Sequence, residues 1–148
     1  MKITQETLIT NKEVRDNFID RLETLSKVKT FLLLPNTEYA TTKQLAEYFE
    51  VPQDTIDSLS LYHKEELELD GYKAHRQKQI IEYLNVEIRH LERMQGKSIA
   101  TFKNGEQVVL PNRGLRLFPR RAILRVAMLL RDSEIASYFR DKQFKLFY

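Results

Sequence analysis

Three features of this 148-residue chain predict a mostly α fold with a small β-hairpin. Apolar residues recur at helical spacing along much of the sequence. A compact two-helix skeleton occupies Thr42 to Leu61, and an Asn104-Gly105 dipeptide stands between two short β-prone runs. Hydrophobic residues make up 42% and charged residues 30%, which allows a soluble core and argues against global disorder. The length fits one domain, alone or with an appendage.

The elements follow in order. Val14, Phe18, Leu22, Leu25 and Val28 lie three or four residues apart, one apolar stripe on a helix that Asn11 caps. The apolar run continues to Leu34 and stops at Pro35-Asn36. Thr42 to Phe49 reads as a second helix capped by Thr42, and a third runs from Gln53 to Glu68, with Pro52 suited to its start. Asp70-Gly71 ends it, and Tyr72 to Arg76 forms a short strand. Gln79 to Met94 reads as another helix, on the spacing of Ile80, Tyr83, Leu84, Ile88 and Leu91. Ile99 to Leu110 is the hairpin, its Asn-Gly turn suited to a two-residue connection. Leu115 to Phe118 is a further strand. Pro119 opens a helix with Ile123, Val126, Ala127 and Leu130 inward, and Asp132 or Ser133 caps a last helix from Glu134 to about Lys142. The expected organisation is an N-terminal helix over residues 1–36, a helix-turn-helix region over 37–95, and a hairpin with basic C-terminal helices over 96–148, packed as one unit.

The Thr42–Leu61 segment carries the functional expectation. A helix-turn-helix needs a small residue in its first helix, an apolar plug in the turn and two apolar residues one turn apart on the second helix. Ala46, Val51, Ile56 and Leu59 fill those places, with Leu45 and Phe49 completing the inner face and Glu50 where glycine is common. An ordinary helical hairpin is the plainer alternative. With the hairpin added, the sequence predicts a winged-helix-like helix-turn-helix domain plus C-terminal helices.

Two segments resemble a known group. One is Leu32-Leu-Leu-Pro-Asn-Thr-Glu-Tyr-Ala-Thr-Thr-Lys-Gln-Leu-Ala-Glu-Tyr-Phe-Glu-Val, with Glu65-Glu-Leu-Glu-Leu-Asp-Gly-Tyr after it. The other is Leu117-Phe-Pro-Arg-Arg-Ala-Ile-Leu-Arg-Val-Ala-Met-Leu-Leu-Arg-Asp-Ser-Glu-Ile-Ala. Together they resemble phage and prophage regulatory, antirepressor-like helix-turn-helix proteins of Gram-positive bacteria, over roughly Val28 to Arg140. The resemblance implies DNA-linked control in a mobile element.

Charge is distributed unevenly. From Thr41 to Asp70 two bases face eight acids, net −6, and from Pro111 to Tyr148 nine bases face three acids, net +6. Double-stranded DNA is the expected partner, with Gln53 and Ser58 near base edges and Lys43, Lys64, Lys73, His75, Arg76 and Lys78 near phosphates. A second basic surface is expected at Arg113, Arg116, Arg120, Arg121 and Arg125. These arginines have three readings: ion pairs with the acidic helix-turn-helix face or with Asp132 and Glu134, a phosphate-binding rim, or a protein-binding surface. The acidic run motivates a competing function, a module that binds a host or phage protein. A homodimer through Asn11 to Leu34 is a further expectation.

Several chemistries are not expected. The chain has no cysteine, and His63, His75 and His90 have no metal-ligand spacing, so no metal or other cofactor is foreseen. No nucleophile elbow or phosphate-cradling loop is present, and no enzyme is expected. The polar N-terminus and the short apolar run Phe31 to Leu34 lead us to expect a cytoplasmic protein without a membrane segment.

Overall fold

The computed structural model describes residues 5–25, 34–35, 37–131 and 133–147. Two helices open it, α1 (Gln5–Thr10) and α2 (Lys12–Leu25). Between them the Asn11 side chain accepts a hydrogen bond from the Val14 N–H at 3.2 Å, the cap its sequence position suggests. Strand β1 (Tyr39–Ala40) leads into α3 (Thr42–Phe49). Thr41, not Thr42, caps this helix. Its hydroxyl accepts from the Gln44 N–H, and the Gln44 side chain accepts from the Thr41 N–H.

Glu50 then takes a left-handed backbone with φ 55°, a conformation glycine adopts more readily. The Val51 N–H bonds to the Ala46 carbonyl at 3.0 Å, and α4 (Gln53–Tyr62) begins. Leu45, Ala46, Phe49 and Ile56 are buried here, and Val51 and Leu59 pack against them. The third helix breaks at His63, so that α5 (Lys64–Leu69) follows as a separate piece.

Next come β2 (Lys73–His75), α6 (Gln77–Leu84), one 3-10 turn at Asn85–Glu87, β3 (Ile88–Met94), β4 (Lys97–Phe102), β5 (Gln107–Pro111) and β6 (Leu115–Pro119). Helices α7 (Arg120–Leu129) and α8 (Glu134–Phe147) close the chain. The Ser133 hydroxyl accepts from the Ala136 N–H at 3.0 Å and donates to the Phe49 carbonyl at 2.7 Å, so it caps α8 and ties it to α3. Arg140 reaches back to the Ala127 and Leu130 carbonyls and satisfies the end of α7.

The strands form two antiparallel three-stranded sheets, ordered β1-β6-β2 and β3-β4-β5. In β6, Phe118 belongs to one core with Phe18, Phe49, Ile123 and Met128. Its neighbour Leu117 belongs to a second core with Ile80, Leu84, Ala100, Phe102 and Leu110. Successive strand residues point to opposite faces, so the first sheet divides the two cores.

The fold-class expectation is therefore wrong. The described residues hold eight helices and two three-stranded sheets, a mixed α and β fold rather than a mostly α one with a single hairpin. The winged-helix-like expectation falls with it. A wing is a short hairpin, whereas residues 76–114, which join β2 to β6, build a helix and a whole second sheet.

The error has a local cause at residues 85–94, read as helix. Ile88 and Leu91 are three apart, a helical interval. In β3 the pairing with β4 shifts register between Ile88 and His90. That irregularity lets both side chains pack against the second core. The hairpin turn also differs from a two-residue connection. The Phe102 N–H meets the Glu106 carbonyl at 2.8 Å, enclosing Lys103, Asn104 and Gly105.

In the expected N-terminal arm, Val14 and Phe18 are buried in the first core and Leu34 in the second. The side chains of Leu22 and Leu25, and all of Val28 and Phe31, lie outside the described residues. The described members of the arm thus serve the core of one chain. Among the described residues no helix is long and apolar enough to cross a membrane.

Candidate functional site

A cleft of about 700 Å³ opens between the α3–α4 pair and the second sheet. One wall is the start of α3, with Thr41, Thr42, Lys43 and Gln44, together with Glu47 and with Gln53 and Asp57 from the first turns of α4. The other is β5, with Gln107, Val108, Val109 and Pro111. Tyr72, Arg113, Leu115 and Arg116 join the two.

The capping box on Thr41 fixes the helix start beside Lys43. Arg116 is held by stacking: its guanidinium lies 5.2 Å from the Tyr72 ring centre, and Tyr72 stacks on Phe118 at 4.3 Å. The Glu68 carboxylate stands 3.8 Å from Arg116 Nη1, a loose pair, and that nitrogen makes no hydrogen bond.

Further cations come to the same end of the molecule through Gly114. Its φ is 90°, and a Cβ built there would stand 2.0 Å from the His75 carbonyl and 3.0 Å from Arg76 Cα. Only glycine allows this approach, and it sets Arg113 beside Arg76. Gln77 fixes the start of α6 on the same edge, donating to the Leu110 carbonyl at 2.9 Å and to Asn112 Oδ1 at 3.2 Å. Lys78, exposed, lies in that first turn. Lys73 is exposed on β2, whose Ala74 pairs with Arg116. Lys43, Arg113 and Arg116 line the opening, whereas Arg76 is near it only through the backbone approach at Gly114, and Lys73 and Lys78 are exposed and do not line it. Three acids, Glu47, Asp57 and Glu106, line it as well.

Other expected contacts fall elsewhere. Ser58 is exposed on α4, and Lys64 is exposed at the start of α5; neither lines the cleft. His75 is not available to a phosphate. It is buried beside Tyr39 and shares a 3.2 Å hydrogen bond between Nδ1 and the Tyr83 hydroxyl. Burial, with Lys73 nearby, holds its pKa below the ordinary 6.5, so it is neutral near pH 7.

The expected second basic surface divides. Arg113 and Arg116 belong to the cleft, Arg120 is half-buried at the start of α7, and Arg121 and Arg125 enter an ion network. Arg125 donates to Asp70 through Nε at 2.6 Å and Nη2 at 2.8 Å. It also contacts Asp16, and it pairs with Glu66 at 3.0 Å. Arg121 bridges Asp70 at 2.9 Å and Asp20 at 2.7 Å. Arg15 forks onto both oxygens of Glu66 at 2.8 and 2.6 Å. Burial pushes the Glu66 pKa up, but the Arg15 hydrogen bonds outweigh it and leave the carboxyl below its usual range. Asp16 is likewise lowered, its burial outweighed by Lys12 and Arg125. Arg125 is raised despite burial, chiefly by Asp70. Of the three readings of these arginines, ion pairing with the acidic segment describes Arg121 and Arg125.

Sequence reasoning missed Tyr72 as the shelf under Arg116 and Asp70 as the anion shared by two arginines. Asp70 stands in the acidic run that one reading pairs with these arginines, but nothing in the sequence singles it out from the other seven acids there. The positive stretch after Pro111 was a usable signal, because so many arginines on one apolar helix need internal anions. Among the described residues no group of three or more histidine and acidic side chains is arranged to hold a metal ion. In comparison with known proteins, the chain matches no family model, no curated protein and no solved structure.

Proposed function

We propose that the chain binds duplex DNA across this cleft, as a regulator in a mobile genetic element of the kind its resemblance implies. The observation that carries the reading is the meeting of Lys43, Arg113 and Arg116 in one cleft beside the first turns of α4, with the Arg76 backbone brought close at Gly114. A phosphate backbone laid in the cleft meets Lys43 on the α3 wall and Arg113 and Arg116 where the two walls join. Gln53 in the cleft and Ser58 outside it are the base-reading candidates, and Asp57 can accept from a cytosine amino group. The acids in the cleft narrow the tolerated registers, because a phosphate placed against Glu47 or Glu106 is repelled.

Fluorescence anisotropy with a labelled duplex of the element's own promoter region, at about 50 and 200 mM salt, tests the proposal. Wild type binds at low salt and weakens steeply as salt rises. Arg76→Ala/Lys78→Ala flattens the salt slope by about 2 and weakens all sequences alike. Absence of binding at low salt overturns the reading.

A further inference from the structure

The outer side of α4 and α5 presents large apolar side chains that neither core takes up. Leu61 is 77% exposed, Tyr62 86% and Leu69 79%. None of the three lines the cleft. Isolated exposed apolar residues are ordinary, but three close in sequence at the ends of two short helices are the usual signature of a contact surface. Tyr62 is also steadied, meeting the His63 ring edge-on at 4.8 Å.

The charges around these residues select the partner. On α4, Asp54 precedes Leu61 by two turns and shares its helix face. On α5, Glu65 precedes Leu69 by one turn, and Glu68 is its neighbour. Lys64 is the one lysine or arginine between Gln53 and Asp70.

We infer that this face docks a cationic amphipathic helix of a protein partner, its apolar stripe on Leu61, Tyr62 and Leu69 and its lysines or arginines on Asp54, Glu65 and Glu68. A second copy offering the same face would set carboxylates against carboxylates, because a two-fold contact is self-complementary. Nucleic acid and anionic lipid are repelled by the same acids. A cationic helix satisfies both the charge and the apolar anchors. The platform is already rigid. Glu66 and Asp70, on the inner side of α5, are clamped by Arg15, Arg121 and Arg125, so docking does not have to order it.

The test is an NMR titration of the full 15N-labelled chain with a synthetic helical peptide of about 18 residues. The peptide carries leucines on one face and lysines and arginines on its flanks. The control is the same peptide with glutamates on the flanks. Backbone signals of Leu61, Tyr62, Glu65 and Leu69 shift with the cationic peptide and not with the acidic one. The Leu61→Ser/Leu69→Ser variant, altered only at exposed positions, melts like wild type and binds about tenfold more weakly or worse. Equal binding of the acidic peptide, shifts centred on Lys43, Gln53 and Arg113, or no shifts at about millimolar peptide each overturn the inference. Sedimentation supplies a further arm: a wild-type dimer that the double variant abolishes assigns the face to a second copy and overturns it too.

Discussion

Replacing Arg125 by methionine tests the ion network most directly. Arg125 is 2% exposed and its stem packs among α7 core residues, so methionine keeps most of the volume while removing the guanidinium. Three carboxylates then lose a cation. Glu66 keeps its fork from Arg15, and Asp70, itself buried, keeps the 2.9 Å contact from Arg121. Removing one partner of a buried pair costs about 3–5 kcal/mol. Asp16, one-third exposed, adds little because solvent screens it.

That loss is a large part of the roughly 5–15 kcal/mol that holds a typical domain folded. With a urea m-value of about 1–3 kcal/mol/M, the unfolding midpoint falls by about 2 M at pH 7. A fall below about 0.5 M with unchanged m refutes the assignment of Arg125 as the hub. Acid supplies a second arm. Glu66 and Asp16 have pKa values lowered in the fold. The stability they contribute is therefore present above their unfolded values, 4.5 and 3.8, and is lost as pH falls through the folded ones. Wild-type stability drops on acidification through that window, and Arg125→Met drops less steeply.

Three further outcomes follow from single contacts. Gly114→Ala costs more than about 2 kcal/mol, since a positive φ is joined by a backbone clash at 2.0 Å. Gly96→Ala, with a positive φ in open space, costs about 1; equal urea midpoints for the two variants disprove the close approach of Gly114 to His75. The His75 ring titrates by NMR below 6.5, and its contribution to stability, full above pH 6.5, is lost as pH falls below it; a midpoint at or above 6.5 contradicts the buried placement. Ser133→Ala removes the α8 cap and the tie to Phe49, costs about 1–2 kcal/mol, and speeds hydrogen exchange at Ala136; an unchanged Ala136 exchange rate rules out the cap.

What could be read from the sequence was local. The α3–α4 skeleton follows from residues within one short stretch, where Ala46, Val51, Ile56 and Leu59 answer steric needs that neighbours impose on each other. The starts of α7 and α8 are likewise signalled by Pro119 and Ser133. Strand β1 is two residues long, and only its pairing with Pro119 and Phe118 makes it a strand. Strand β3 carries apolar spacing that suits a helix, and its pairing with β4 decides otherwise. The candidate site was legible as residue types and not as an assembly. Lys43, Arg113 and Arg116 are each visible as cations, but their meeting in one cleft depends on Gly114 lying against His75 and on the return of β6 between β1 and β2.

The polarity of the sequence, acidic before Asp70 and basic after Pro111, is resolved by the fold in two ways. Part of it is cancelled inside: Glu66 and Asp70 meet Arg125 and Arg121, and Arg15 of α2 adds the remaining clamp. Such pairing is required because α7 is buried almost throughout and its Arg125 has no route to water. The surplus of each sign goes to different faces. Asp54, Glu65 and Glu68 remain outside on α4 and α5, while Arg113 and Arg116 turn toward Lys43 across the cleft. The boundary between the two faces is the loose Arg116–Glu68 contact at 3.8 Å. Glu68→Gln therefore separates the two surfaces experimentally. It frees Arg116 from the Glu68 carboxylate and tightens duplex binding by about twofold to fivefold at low salt, on the scale of an exposed ion pair. The same change weakens the cationic peptide on α5. A variant that moves both affinities in the same direction would show that the two faces are one surface, and the division drawn here would fail.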